Sequence, residues 1–272
     1  MNLLIIQSAK LGDMVCTTPL FRAFRETYPQ GNLYIMGNAV NREVVAGNPH
    51  ITEYFVQSKN NRDVRVLLRE KNITAVVCTS PNPGLLWQVL RARVETVVVP
   101  RIVGGWSPYA TKTYRLLSLF ATKVPIRFGE YMPRQYLALL EPLGVHSGDT
   151  RKELYVSPEA LRRGAELLPK HTFLVCVAPG AGNTIKEWGG PRFAEVATMV
   201  AECWGATIVI VGGVGDRSHV ADMKENIPGR VSVVDLSEKL SLEELKAVIS
   251  QVHLFVSVDT GPIYIAEAFS VP

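Results

Sequence analysis

Short apolar runs rich in β-branched residues alternate along the chain with segments of helical period. In the first half, NLLIIQ (2–7), NLYIMG (32–37), ITAVVCT (73–79) and ETVVVP (95–100) read as strands. MVCTTPLFRAFRETY (14–28) and DVRVLLREK (63–71) read as helices. Residues 101–135 mix Gly, Pro, aromatic and basic side chains without a clear period, so a long irregular excursion with one helix near 110–121 is expected. QYLALLEPLGV (135–145) returns to helix. At Ser157, a good N-cap followed by Pro158, the rhythm restarts. Strands are expected at 172–178, 206–212, 231–235 and 253–258. Helices are expected at 191–203, 217–226, 241–250 and 262–269, with a capping box at Ser241 and Glu244.

This βα alternation predicts two doubly wound α/β domains in tandem, 1–156 and 157–272, with ligands at the carboxyl ends of their strands. A helix ending in Val271-Pro272 normally feeds another strand, so the second domain is expected to be incomplete, one strand short.

Composition narrows the class. The chain has 272 residues, 47% of them hydrophobic and 20% charged, and a formal net charge of +4. That balance suits a globular protein with an anionic ligand or a membrane surface as partner, and is too weak to argue for nucleic acid. The five histidines form no H-x-x-x-H pair, and no metal site is expected. The four cysteines (Cys16, Cys78, Cys176, Cys203) are far apart in apolar stretches and read as small buried hydrophobes of a reducing, cytosolic compartment. No window approaches the length of a spanning helix, so any membrane contact is expected to be peripheral.

Three strand-to-helix loops in the second half carry candidate chemistry. In VAPGAGNTIKEWGGPRF, Gly180, Ala181 and Gly182 let backbone N–H groups approach a ligand, and Lys186 adds a point charge. In LFVSVDTGPIYIAEAF, Thr260 and Gly261 sit at a helix start opened by Pro262, an anion site, and Asp259 either caps that helix or accepts from a sugar or nucleoside hydroxyl. VIVGGVGDRSHV is a weak dinucleotide fingerprint and is equally a tight turn whose Asp216 reaches a ribose. Consecutive strand ends of one sheet converge, and a nucleotide diphosphate fits that crevice.

The first half has a different loop, KLGDMVCTTP. Gly12 permits a tight turn, and Pro19 is expected to prevent a regular helix from running straight through. Asp13 is a poor phosphate ligand. It reads either as a helix N-cap or as a general base for a nucleophile attacking an atom bonded to the diphosphate.

LGDMVCTTPLFRAFRETYP, PGAGNTIKEWGGPRFAEVA and SVDTGPIYIAEAFSVP together resemble three motifs of the heptosyltransferase-like (ADP-heptose:lipopolysaccharide) glycosyltransferases, family 9, in the family's order. The resemblance implies the GT-B fold, two Rossmann-like domains facing a cleft. It implies an inverting glycosyltransferase with no metal and no cofactor, moving heptose or a related sugar from a nucleotide-diphosphate donor, ADP-heptose favoured. The implied acceptor is a lipopolysaccharide-core or other anionic, lipid-linked glycan at the cytoplasmic face of the inner membrane. Asp13 would be the general base and Lys186 would stabilise the departing diphosphate. Gly12, Gly180, Ala181, Thr184, Asp216, Asp259, Thr260, Gly261 and Tyr264 would contact the donor. Gly189 stands where the family typically has proline, and Tyr264 where histidine is common.

Lys59, Arg62, Arg101, Lys112 and Arg115 are basic residues of the first domain able to face an anionic acceptor, and the run WSPYATKTYR suits a membrane surface. A solvated basic face is the alternative. Rival functions are a nicotinamide oxidoreductase, which lacks its glycine triplet after the first strand, a GT-B sugar epimerase, and a catalytically inactive nucleotide-sugar binding module.

Overall fold

The computed structural model describes residues 1–58, 63–105, 107–127 and 129–272. The chain divides into two compact units, Met1–Glu153 and Leu154–Pro272. The side chains at the joint explain the division. Glu153 belongs to the first unit: its N–H donates to Thr18 Oγ1 (2.9 Å) and its carboxylate pairs with Arg22. Leu154 is buried, and the Tyr155 carbonyl accepts from Lys246 Nζ (3.0 Å) in the second unit.

The first unit runs β1 (Asn2–Ile6), α1 (Leu11–Thr27), β2 (Asn32–Gly37), α2 (Ala39–Val44), β3 (Glu53–Val56), α3 (Asp63–Glu70), β4 (Ala75–Cys78), α4 (Pro83–Arg91), β5 (Thr96–Val103), α5 (Lys112–Leu117), β6 (Thr122–Arg127) and α6 (Met132–Ala138). Among the described residues all six strands are parallel, in the order β3-β2-β1-β4-β5-β6, so the order reverses between β1 and β4. Leu4, Ile6, Tyr34, Met36, Val76 and Cys78 face one side, under α3, α4 and α5. Leu3, Ile5, Leu33 and Ile35, the alternate positions, are buried on the other side.

Three sequence expectations fail here. Helix α1 passes straight through Pro19. The proline leaves the Val15 carbonyl without its usual donor, and the Thr18 hydroxyl takes that place (2.8 Å). Gly12 lies within the first turn of α1 and makes no tight turn of positive φ. Segment 101–135 is also more regular than its period implied. After α5 and a short 3-10 turn at Ser118–Phe120 comes β6, with alternating burial, buried Val124 and Ile126, and exposed Pro125. A proline is tolerated there because β6 is an edge strand.

The second unit runs α7 (Pro158–Leu167), β7 (Phe173–Ala178), α8 (Gly190–Trp204), β8 (Ala206–Ile210), α9 (Arg217–Asn226), β9 (Val233–Asp235), α10 (Leu242–Ile249), β10 (Leu254–Ser257) and α11 (Gly261–Ala268). Its four strands are parallel in the order β10-β7-β8-β9, reversing between β7 and β10. Ser157 caps α7 through Ala160 N–H, and Ser241 and Glu244 form the expected capping box on α10. Phe193, Ala194, Ala197, Ala201, Val220 and Met223 of α8 and α9 pack on one face of this sheet. The Phe255 N–H donates to the Pro272 carbonyl (2.8 Å), so the last residue lies along the outer edge of β10.

Cys16, Cys78 and Cys176 are buried thiols, and burial pushes the Cys78 thiol up to about 12. Cys203 departs from the expectation: it is exposed, on the outer side of α8. Among the described residues, no helix is long and apolar enough to cross a membrane.

Candidate active site

In the first unit the chain leaves β1 beside the reversal in strand order and enters α1 through an extended Lys10, the N-cap. That turn is held from outside. Buried Gln7 accepts from the Ala9 N–H (3.0 Å) and donates to Thr17 Oγ1 (3.1 Å). The Ala9 carbonyl accepts from the Asn38 and Asn41 side chains, each at 3.0 Å. Asp13 is therefore not the helix N-cap. It lies in the first turn, its carboxylate half-buried and accepting from the Tyr136 hydroxyl of α6 (3.2 Å).

Burial raises the Asp13 carboxyl above its ordinary 3.8, against the opposing effects of the Tyr136 hydrogen bond, the Lys10 and Asp13 amides and the Lys10 charge. Tyr136 is itself raised, by burial and by the Asp13 charge, so it stays a donor. A half-buried carboxylate with raised proton affinity beside a fixed neutral donor is able to accept a proton.

In the second unit, the loops after β7, β8, β9 and β10 surround a cavity of about 220 Å³. Gly180, Gly213, Asp216 and Thr260 line its polar side, and Leu236, Leu240, Leu242 and Leu245 its apolar side. A Cβ at Gly180 would lie 1.9 Å from Asp216 Oδ1, so this close approach of two loops requires glycine. Asp216 lines the cavity, but its Oδ2 already accepts from the Gly213 N–H (2.8 Å). It braces its own turn, a structural task the ribose reading did not include.

Beside the cavity, across the reversal between β7 and β10, Lys186 pairs with Asp259. The Tyr264 hydroxyl donates to the other Asp259 oxygen (2.9 Å). Lys186 and then Tyr264 hold the Asp259 carboxyl below its ordinary 3.8. Asp259 is thus not a helix cap; Thr260 is the N-cap of α11, and its side chain does not bond the first turn. The amides that open α11 at Gly261 are the orphan donors of a helix start. Ala181 is half-buried beside Gly180, whereas Thr184 is exposed in the 3-10 turn Thr184–Lys186 and does not line the cavity. Gly189 has φ 97°, a value proline's ring forbids, so glycine here sets a backbone path of its own into α8.

Of the basic residues named from sequence, Arg101 and Arg115 line one cleft of about 370 Å³ in the first unit. Lys123, which the sequence reading missed, joins them. Lys112 is exposed and does not line this cleft. Lys59 and Arg62 lie outside the described residues.

Residues 103–272 match the family model of glycosyltransferase family 9 (heptosyltransferase). The chain belongs to glycosyltransferase family 9. It is an enzyme of the glycosyltransferase class with the GT-B fold. It is 25% identical over 278 residues to lipopolysaccharide heptosyltransferase 3 of Escherichia coli, covering 96% of this chain and 78% of that one. Among solved structures, a family 9 glycosyltransferase from Veillonella parvula superposes with TM-score 0.82 at 22% identity, over all of this chain and 78% of the other. The E. coli heptosyltransferase WaaC, solved with ADP-2-deoxy-2-fluoro heptose, superposes with TM-score 0.74 at 18% identity, over 100% of this chain and 87% of its own.

Three parts of the candidate site escaped the sequence reading. Tyr136 is distant in sequence from Asp13, and only the packing of α6 on α1 joins them. Gln7, Asn38 and Asn41 fix the turn through side chain–backbone bonds that carry no period. The leucine wall follows β9, where LSEKLSLEEL did offer a signal: apolar residues at the carboxyl end of a strand.

Proposed function

We propose that this glycosyltransferase moves a heptose or related sugar from ADP-heptose to a lipopolysaccharide-core or similar lipid-linked glycan, with inversion and without a metal. The observation that carries the reading is the meeting of the second unit's strand-end loops: the Gly180 loop, the Thr260–Gly261 helix start and the Lys186–Asp259–Tyr264 cluster. The leucine wall suits the flat apolar face of a nucleobase. The α11 amides and Lys186 suit a diphosphate. Asp259 and Tyr264 offer an acceptor and a hydroxyl to the donor sugar. The names of the relatives support heptose and lipopolysaccharide as the substrate classes.

In this reading the acceptor hydroxyl gives its proton to Asp13 as its oxygen bonds to the anomeric carbon. The bond from that carbon to the diphosphate oxygen breaks, and its electron pair leaves with the nucleotide. The transition state is oxocarbenium-like, and Lys186 with the α11 amides takes up the charge growing on the diphosphate. Arg101, Arg115 and Lys123, which share a cleft, are assigned to the anionic acceptor, with Lys112, Lys59 and Arg62 as further candidates.

The test is a panel of ADP-, GDP-, UDP- and CMP-linked sugars, read by thermal shift and by transfer with and without a chelator. ADP-heptose is expected to raise the midpoint most and to support chelator-resistant transfer. Stabilisation by another nucleotide sugar alone, or loss of transfer to the chelator, would overturn the assignment.

A further inference from the structure

Helix α9 meets the loop that carries Lys186 at both of the loop's ends. At the near end, Asp216, the N-cap of α9, crowds Gly180 so closely that only glycine fits there. At the far end the contacts come from the next turns of the same helix. Asp222 Oδ2 accepts from the Gly190 N–H (3.1 Å), and His219 Nε2 lies 3.5 Å from Glu187 Oε1. Asp216, His219 and Asp222 are spaced by three residues, so each lies beside the next along one flank of the helix. A Cβ on Gly190 would lie 2.5 Å from the Met223 amide nitrogen, so the start of α8 rests directly on the α9 backbone.

This contact replaces a cap that α8 lacks. The N-cap position of α8 is Gly189, which has no side chain to bond the first turn. Asp222 supplies the missing acceptor from α9, placing a carboxylate where the orphan amides of a helix start favour negative charge. Between the two anchors, from Gly182 to Trp188, the loop is exposed and its backbone bonds are short-range. The Lys186 N–H donates to the Asn183 carbonyl (3.0 Å) and the Glu187 N–H to the Thr184 carbonyl (3.1 Å). Bonds of that kind shape the turn without fixing its place over the sheet. Trp188 adds an edge-on contact with Phe193 of α8, ring centroids 5.1 Å apart. The place of Lys186 therefore depends on Asp259, which pairs with its ammonium, and on α9, which holds Glu187 and Gly190 just after it.

We propose that Asp222 and His219 are positioning residues: they tie the tail of the loop to α9 and so hold Lys186 at the donor's diphosphate. The proposal rests on Lys186 acting on that diphosphate, and the experiment separates the two. ADP and adenosine are titrated calorimetrically against the full chain, and transfer is measured beside them. Adenosine lacks the diphosphate and reports on the rest of the nucleotide site. In Asp222→Ala and in His219→Ala, ADP affinity is expected to fall severalfold and turnover by about ten- to a hundredfold, with adenosine affinity unchanged. Asp222→Asn keeps a carbonyl acceptor for the Gly190 N–H and should restore most of both. Each loss should shrink to little when Lys186 is already alanine, because groups that act through one lysine do not add. Equal weakening of ADP and adenosine, wild-type behaviour of both alanine variants, or losses that add in full to Lys186→Ala would each overturn the proposal. Wild-type turnover and ADP affinity in Lys186→Ala would remove the role of the lysine itself, and this proposal with it.

Discussion

Asp13 and Asp259 each follow a strand that borders the reversal in its own sheet, yet their surroundings drive them in opposite directions. Asp13 is half-buried with a phenol as partner, and burial raises its proton affinity. Asp259 is exposed and paired with Lys186 and Tyr264, which lower it. The lesson is that one position in a doubly wound sheet carries a carboxyl of raised or of lowered proton affinity according to what the neighbouring elements bring. Environments that push two carboxyls apart separate the group that moves a proton from the group that only holds charge.

Asp13→Asn should break the comparison most severely. Turnover is expected to fall by on the order of 10²–10⁴-fold while nucleotide binding is kept, read by steady-state kinetics beside calorimetric titration. The same variant carries a stability signature. Because the folded-state value of Asp13 lies above 3.8, its contribution to stability is full below the ordinary carboxylate range and is lost as pH rises through the folded value. Replacing it with asparagine should raise the denaturation midpoint near neutral pH, and the gap should close in acid. A smaller kinetic effect is expected from Lys186→Ala, about 10²–10³-fold in turnover, with nucleotide affinity weakened as well. A Lys186 variant that loses affinity but keeps turnover would reduce this lysine to a positioning role.

The sequence made the βα rhythm, the parallel sheets and the carboxyl-end loops legible, because strand and helix periods and cap residues are local signals. Ser157, Ser241 and Pro262 mark their helices through such signals. Long-range partners were hidden. The passage of α1 through Pro19 depends on a hydroxyl one residue earlier capturing a stranded carbonyl. Strand β6 was obscured by a proline that only an edge position tolerates. At the site, Asp13 and Lys186 stood out as charged residues in strand-to-helix loops. Tyr136 and the bracing of Asp216 against Gly213 and Gly180 emerge only when separate elements pack.

The pH dependence of kcat/KM tests the central claim most directly. Asp13 accepts a proton only when ionised, so the rate should climb along an acidic limb whose inflection lies above the ordinary carboxylate value. Tyr136→Phe removes a hydrogen bond that favours the charged form, and the limb should move to still higher pH. In Asp13→Asn the limb should vanish from the residual rate. A limb that persists unchanged in Asp13→Asn, or a wild-type rate flat across the acidic range, would contradict the assignment of Asp13 as the base.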